Sequence, residues 1–341
     1  MSEQELLKVL LDSGSFLSLD DSKETGITAG LGCILSRPVS VITFSQYIKS
    51  AAEKTMLQLI EKAGIGGTPL LLVFSDKETT DKHIHLDTVI KEIVRLSGVC
   101  PILALVADQE GDIAQKLLPY TDFCIFASGL HALTASHLQV PDAVTAVERM
   151  RSLLSYLPLN CAENAPVFNS DEKKLSKKTG VLPTHSAVLQ CISDSASVLT
   201  LYNDTHSILA FSRVHGKAVG ILSSATGAFP AHAARFVQFC DCYSLPVIVI
   251  TEQALCLDNM QTYMLARATM PMISIGNVGR YAAFFDMSIT IEGLDAEHGN
   301  TVITMQDAYD TVSHALMLLS VKRDILPPHK HGNLPLDGGA Q

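Results

Sequence analysis

The sequence is short of charge and shorter still of base. Charged residues make up 18% of its 341 positions, acids outnumber bases 35 to 25, and the formal net charge is -10. That excludes a surface built for nucleic acid, which needs lysine and arginine against phosphate. Long apolar runs are missing too, and no stretch approaches the ~20 residues of a membrane span. The opening MSEQELLKVLLDSG reads as an acidic amphipathic helix and not as a secretory signal. The eight cysteines contain no CxxC pair, which argues against a zinc ribbon. Most lie in apolar runs, as Cys33, Cys124 and Cys191 do, the habit of small buried hydrophobes in a reducing cytoplasm. Cys240 has no identifiable partner histidine, so a nucleophile is not indicated there.

Apolar residues fill 47% of the chain, enough for two domains with sizeable cores. The organising stretch is His215 to Glu252. Lys217 to Leu222 is a short apolar run, and Ala233 to Cys242 puts Ala234, Val237 and Cys240 on a helical stripe. Val247 to Thr251 is β-branched, the mark of a strand buried on both faces. Pro246 separates helix from strand. The whole reads as a βαβ crossover.

The same landmarks occur earlier in the same order. Asp12, Pro38, Pro69 and Pro101 answer to Asp194, Ala218, Pro246 and Pro271, which implies a tandem duplication of one α/β unit. In chain order the first half reads as a helix over 2–11, then strands Ala29 to Leu35 and Pro38 to Phe44 joined at Ser36-Arg37. Next come a helix (Ala51 to Ala63), a strand (Pro69 to Phe74), a helix (Thr88 to Leu96) and a strand (Ile102 to Val106). A helix within Asp108 to Tyr120, a strand at Phe123 to Phe126 and a helix at Ala143 to Leu154 complete it. Such alternation predicts helix-covered parallel sheets. Residues 161–183, with Pro166, Pro183 and the run Asp171 to Lys174, read as a linker between domains 1–160 and 184–341.

Four stretches carry a family likeness: DSGSFLSLD, LLSYLP, ARFVQFCDCYSLPVIVIT and the ending LLSVKRDILPPHKHGNLPL. Together they resemble the carboxyltransferase subunits of biotin-dependent acyl-CoA carboxylases and decarboxylases, of which this chain is a short, divergent likeness. The resemblance covers nearly the whole chain. It implies two tandem ClpP/crotonase-type β-β-α superhelix domains and movement of a carboxyl group between biotin and the α-carbon of an acyl-CoA. It also implies a homodimer or larger homo-oligomer, coenzyme A esters as substrates, and biotin on a separate carrier. No biotin-attachment Met-Lys pair or ATP-grasp loop occurs here, so a biotin carboxyl carrier and a biotin carboxylase subunit would be partners. The alternative is a non-catalytic paralogue serving assembly or regulation.

Such chemistry passes through a thioester enolate, whose oxygen needs two backbone N–H groups, and glycine lets backbone approach closely. The resemblance puts the first donor loop at Ser75 to Thr79, where Lys77 and Glu78 stand in place of small residues. The second falls before Gly111 and Asp112. In the second half the corresponding loops hold Gln253 and Ala254, then Val278, Gly279, Arg280 and Tyr281. The expected oxyanion backbone is therefore Gly111, Asp112, Gly279 and Arg280. Substrate or biotin would lie near Lys77, Glu78, Gln253, Ala254, Val278 and Tyr281. Both glycines could equally be plain loop residues. A carboxylate at Glu110 or Asp112 would repel an enolate. Arg280 reads either as a surface cation or as a partner for phosphate or carboxylate. Lys77 and Lys82 could meet phosphates or simply be solvated. His83 and His85 alternate but lack a third metal ligand, His329 and His331 belong to the family-like ending, and Asp286 starts a turn.

Overall fold

The computed structural model describes residues 3–19, 25–80, 84–108, 110–127, 137–168, 183–294 and 301–320. Lys82, His83, Gln109, Asp171 to Lys174 and the ending that holds His329 and His331 lie outside them. The chain forms two compact units, parting between Asn164 and Ala165, within the stretch read as linker.

Unit 1 contains α1 (Glu3–Leu10), β1 (Leu17–Ser18), β2 (Ile27–Ile34), β3 (Arg37–Phe44), β4 (Tyr47–Ile48), α2 (Ala52–Gly66) and β5 (Leu70–Phe74). It continues through β6 (Thr79–Thr80), α3 (Leu86–Leu96), β7 (Ile102–Val106), α4 (Asp112–Leu117), β8 (Phe123–Ala127), β9 (His137–Val140) and α5 (Ala143–Tyr156). Unit 2 contains α6 (His185–Ile192), β10 (Leu199–Asn203), β11 (Ser207–Val214), β12 (Lys217–Ser224), α7 (Ala233–Cys242) and β13 (Val247–Thr251). It ends with α8 (Asn259–Arg267), β14 (Met272–Gly276), a 3-10 turn over Gly279–Phe284, β15 (Met287–Ile291), β16 (Thr301–Ile303) and α9 (Ala308–Leu319).

Each unit is built on one seven-stranded sheet, ordered β1-β2-β3-β5-β7-β8-β9 in the first and β10-β11-β12-β13-β14-β15-β16 in the second. In both, two antiparallel pairings are followed by four parallel ones. The duplication read from the landmarks reaches individual hydrogen bonds. Asp12 accepts from the N–H of Leu35 and Ser36 at 3.2 and 2.6 Å, and Asp194 from His215 and Gly216 at 2.9 and 2.7 Å. Each aspartate thus holds a two-residue hairpin turn whose residues have positive φ: 54° and 60° at Leu35 and Ser36, 52° and 76° at His215 and Gly216. Asp122 and Asp286 accept from Ile102 and Met272 in the same repeated way, at 2.7 and 2.8 Å. Asp286 therefore registers a strand and does more than start a turn.

The apolar runs end where proline or a polar residue interrupts them, so Ile102–Val106, Ala233–Cys242 and Val247–Thr251 have the bounds expected from sequence. Other expectations need correction. The hairpin turn is Leu35-Ser36, and Arg37 already lies in β3, because the Asp12 carboxylate draws in the two N–H groups before it. The helix expected within Asp108 to Tyr120 shortens to α4 plus a 3-10 turn, since Gly111 is extended at φ -103° and ψ -166°. The single stripe expected on α7 is a helix buried on every side, Arg235, Gln238 and Asp241 included. Asp241 is used locally: its Oδ1 accepts from the N–H groups of Thr269 and Met270 at 2.7 and 3.0 Å.

Candidate functional site

In open α/β sheets, ligands bind beyond the carboxyl ends of the parallel strands. Those ends carry all the loops singled out in the sequence, in both units.

In unit 1 the loop after β5 begins with Ser75, Asp76 and an exposed Lys77. Thr79 is tied to Gln46 by two hydrogen bonds, N–H to carbonyl at 2.8 Å and hydroxyl to carbonyl at 3.0 Å. This turns the side chain between them, Glu78, inward until it is completely buried. Its carboxylate accepts from the N–H of Gly111 at 3.1 Å and of Ala114 at 2.5 Å. The glycine is required by this contact: a Cβ at Gly111 would stand 2.1 Å from the Glu78 carbonyl oxygen and 2.5 Å from its carboxyl. Burial pushes the Glu78 carboxyl above the usual carboxylate range, and the N–H groups of Ala114 and Gly111 pull it back. Asp112 is exposed and only its backbone N–H turns inward, 3.4 Å from the Glu78 carbonyl. The structure therefore brings Glu78, Gly111 and the Asp112 backbone together and leaves the Lys77 side chain outside. The carboxylate that the Gly111 N–H meets belongs to the facing loop, while Glu110 is half-buried.

In unit 2 the equivalent place holds no carboxylate among the described residues. The loop after β13 exposes Gln253 and Ala254 and buries Leu255, whose N–H donates to the Asn277 carbonyl at 3.0 Å. That carbonyl also accepts from the Thr251 hydroxyl at 3.0 Å. The Asn277 amide oxygen receives the Gly279 N–H at 3.1 Å. Gly276 and Gly279 have φ of +101° and +49°, and a Cβ on Gly279 would meet only the Asn277 amide oxygen, at 3.9 Å. Val278 is buried and Arg280 exposed. Tyr281 is buried, its hydroxyl accepts from Arg280 Nη2 at 2.7 Å, and the guanidinium carbon lies 4.9 Å from the ring centre. That hydrogen bond holds the Tyr281 phenol below its usual range against the opposing pull of burial; the Leu257 N–H and the Thr262 hydroxyl add to it. Tyr202 is the converse, since it donates to Asp204 at 2.7 Å and is pushed up.

One contact had no signal in the sequence. His185, the first residue of α6, shares a 2.9 Å hydrogen bond with Ser223 on β12, as Glu3 of α1 receives one from Thr43 on β3. In both units a helix is thereby anchored to the sheet at matching positions. Cys240 is buried and its thiol pushed well up by burial, which suits a packed hydrophobe and not a nucleophile. A groove of about 780 Å³ runs between α2 and α3 over Leu57, Ile60, Leu96 and Val99 and touches none of these loops. No group of three or more metal-binding side chains occurs among the described residues.

Two seven-stranded sheets of one repeated topology, with paired loops at their carboxyl ends, make up a tandem crotonase-like fold. Residues 130–254 match the carboxyl transferase domain. The chain is 24% identical over 322 residues to the methylmalonyl-CoA carboxyltransferase 12S subunit of Propionibacterium freudenreichii, a match that takes in 73% of this chain and 62% of that protein. It thus spans less than two thirds of that relative. It is 21% identical to the propionyl-CoA carboxylase beta chain of Saccharopolyspora erythraea, over 98% of this chain and 90% of that one. Among solved structures, transcarboxylase 12S superposes with a TM-score of 0.80 at 21% identity, covering 98% of this chain and 92% of the other. The chain is thus similar to carboxyltransferase subunits, as the resemblance of its sequence motifs implies.

Proposed function

We propose that this protein is a carboxyltransferase-type subunit whose two sites have become unequal, one closed and one open, and that it serves chiefly in assembly or regulation. The observation that carries this is Glu78. Its carboxylate takes the Gly111 N–H and its carbonyl the Asp112 N–H, the two donors that the family likeness would give to an enolate oxygen. A second negative oxygen there would meet like charge and lose its donors. Unit 2 keeps two glycines at positive φ and a turn without a carboxylate, so it is the half that would receive a biotin-bearing partner. Domains 1–160 and 184–341, joined by 161–183, would each supply one site. A homodimer or larger homo-oligomer would complete the assembly; sedimentation equilibrium finding a 36.7 kDa monomer would remove it. The retained glycines of unit 2 favour one other reading, an active acyl-CoA carboxyltransferase working with carried biotin.

The two readings separate in one assay. With a carboxybiotin carrier and propionyl-CoA, turnover should fall at least ~10²-fold short of an enzyme with both donors free, the cost of one lost oxyanion donor. Turnover of ~10 s⁻¹, an ordinary enzyme rate, would establish the active enzyme and retire the closed site.

A further inference from the structure

The groove between α2 and α3 has a floor of Leu57, Ile60, Leu96 and Val99 and a volume of about 780 Å³. Its α2 wall follows from the helix sequence. Ala52, Met56, Leu59 and Ala63 recur every three or four residues and turn inward, so Lys54, Leu57, Glu61 and Gly64 face the groove. Ile65 stands at the end of this face and is 81% exposed. Gly64 lies inside the helix, where glycine is destabilising. Its own unit does not require it: a Cβ there would meet only the Leu96 side chain, at 3.4 Å, an ordinary contact. What the missing side chain leaves is room for a chain approaching from outside.

The charges on this wall say which chain. On the α3 wall Arg95 is paired with Glu92 at 2.7 Å. Lys54 and Glu61 have no ion-pair partner among the described residues. They lie symmetrically about a point between Leu57 and Gln58, each about 5 Å along the helix from it at 1.5 Å per residue. A second α2 laid antiparallel across that point sets Lys54 opposite Glu61 of the partner subunit, and Glu61 opposite the partner's Lys54. It also sets the exposed Ile65 against the partner's Ser50, a large side chain against a small one. A parallel pair would put lysine beside lysine and glutamate beside glutamate, which repel.

We propose that the α2–α3 groove is a two-fold interface between copies of this chain, with α2 of each protomer lying antiparallel on that of the other. This rests on the reading that the chain forms a homo-oligomer, and it assigns one contact of that oligomer to unit 1. In a two-fold contact every pair occurs twice, so each favourable or unfavourable charge pair counts double.

The test is sedimentation equilibrium of the full chain at micromolar concentration, comparing wild type with Lys54→Glu, Glu61→Lys and the two combined. The wild type should associate. Each single reversal places two like-charge pairs in the interface and should weaken association roughly tenfold or more. The combined variant restores opposite charges and should associate as the wild type does. Ile65→Asp should weaken association as the single reversals do. All three positions face the groove and not the core, so circular dichroism of every variant should match the parent. Salt should narrow the difference between the charge variants and the wild type. Single variants that associate like the wild type would remove this interface and leave the homo-oligomer standing on another surface. A combined variant as weak as the single ones would show that the two charges do not face each other, and would overturn the antiparallel pairing. A wild type that is monomeric throughout would overturn the interface and the homo-oligomer together.

Discussion

The two units carry one topology and different chemistry at the same edge. At the ends of β3 and β5, unit 1 stacks Phe44 on Phe74 with ring centres 4.6 Å apart. At the matching register, unit 2 has Ser224 and Thr251, whose hydroxyls bond the carbonyls of Ala228 and Asn277 at 2.8 and 3.0 Å. The phenyl side chains at this edge offer the unit 1 loop no hydrogen bond, and the loop sends a carboxylate to α4 instead. A hydroxyl edge holds its loops directly, and the unit 2 turn carries no carboxylate. The comparison teaches that a repeated scaffold constrains where loops leave the sheet and says little about what fills the space above it.

The sharpest way to break this contrast is to remove Glu78. Glu78→Ala leaves the Gly111 and Ala114 N–H groups buried without an acceptor and opens a cavity, and should cost roughly 2–4 kcal/mol in denaturant unfolding. Glu78→Gln keeps one acceptor oxygen and should lose less. If both variants unfold like the parent, the carboxylate is not seated on α4 and unit 1 is no more closed than unit 2.

Acid should distinguish the units next. The residue before α7 is His232, and the residue before α2 is Ala51. Burial lowers the His232 imidazole from 6.5 to about 4, against the opposing pull of Asp204. Between those values the unfolded chain binds more protons, so stability should fall as pH drops from 6.5 toward 4 and should be level above. Glu78, pushed the other way, contributes stability that fades as pH rises above the ordinary carboxylate range. The His232 contribution is on the order of 2–3 kcal/mol. It is read as the difference between wild type and His232→Gln across that window; parallel stability curves for the two proteins would sink it.

The smallest expected effect sharpens the comparison from the other side. Thr251→Val is close to isosteric and removes one buried hydrogen bond from the Asn277 carbonyl, which keeps the Leu255 N–H. The loss should be about 1 kcal/mol, with faster hydrogen exchange confined to residues 253–257 and 277–281. Unchanged exchange there would mean that the hydroxyl edge does not hold the loops.

Much of the scaffold is legible in the residues. The strands at Ile102–Val106 and Val247–Thr251 are apolar runs bounded by proline and polar turns, and a run of that kind can only be buried. Short edge elements such as Leu17–Ser18 and Tyr47–Ile48 are not legible, because two residues carry no period. The sequence marks the loops at the strand ends as positions, but nothing in it shows that the Glu78 carboxylate accepts from Gly111 and Ala114.

By itself, then, the sequence determined the alternation of strands and helices, the repeated order of landmarks from Asp12 and Asp194 onward, and the carboxyltransferase likeness. These rest on local pattern: apolar period, proline and glycine placement, and turn chemistry. Only the tertiary structure decided that Glu78 fills the end of α4, that α7 is buried all round, and that Arg280 donates to the buried Tyr281 hydroxyl. Each of those depends on desolvation and on partners distant in the chain. Glu78 and Gly111 are 33 residues apart, and no periodicity in the sequence records which polar group loses its water when two loops close on each other.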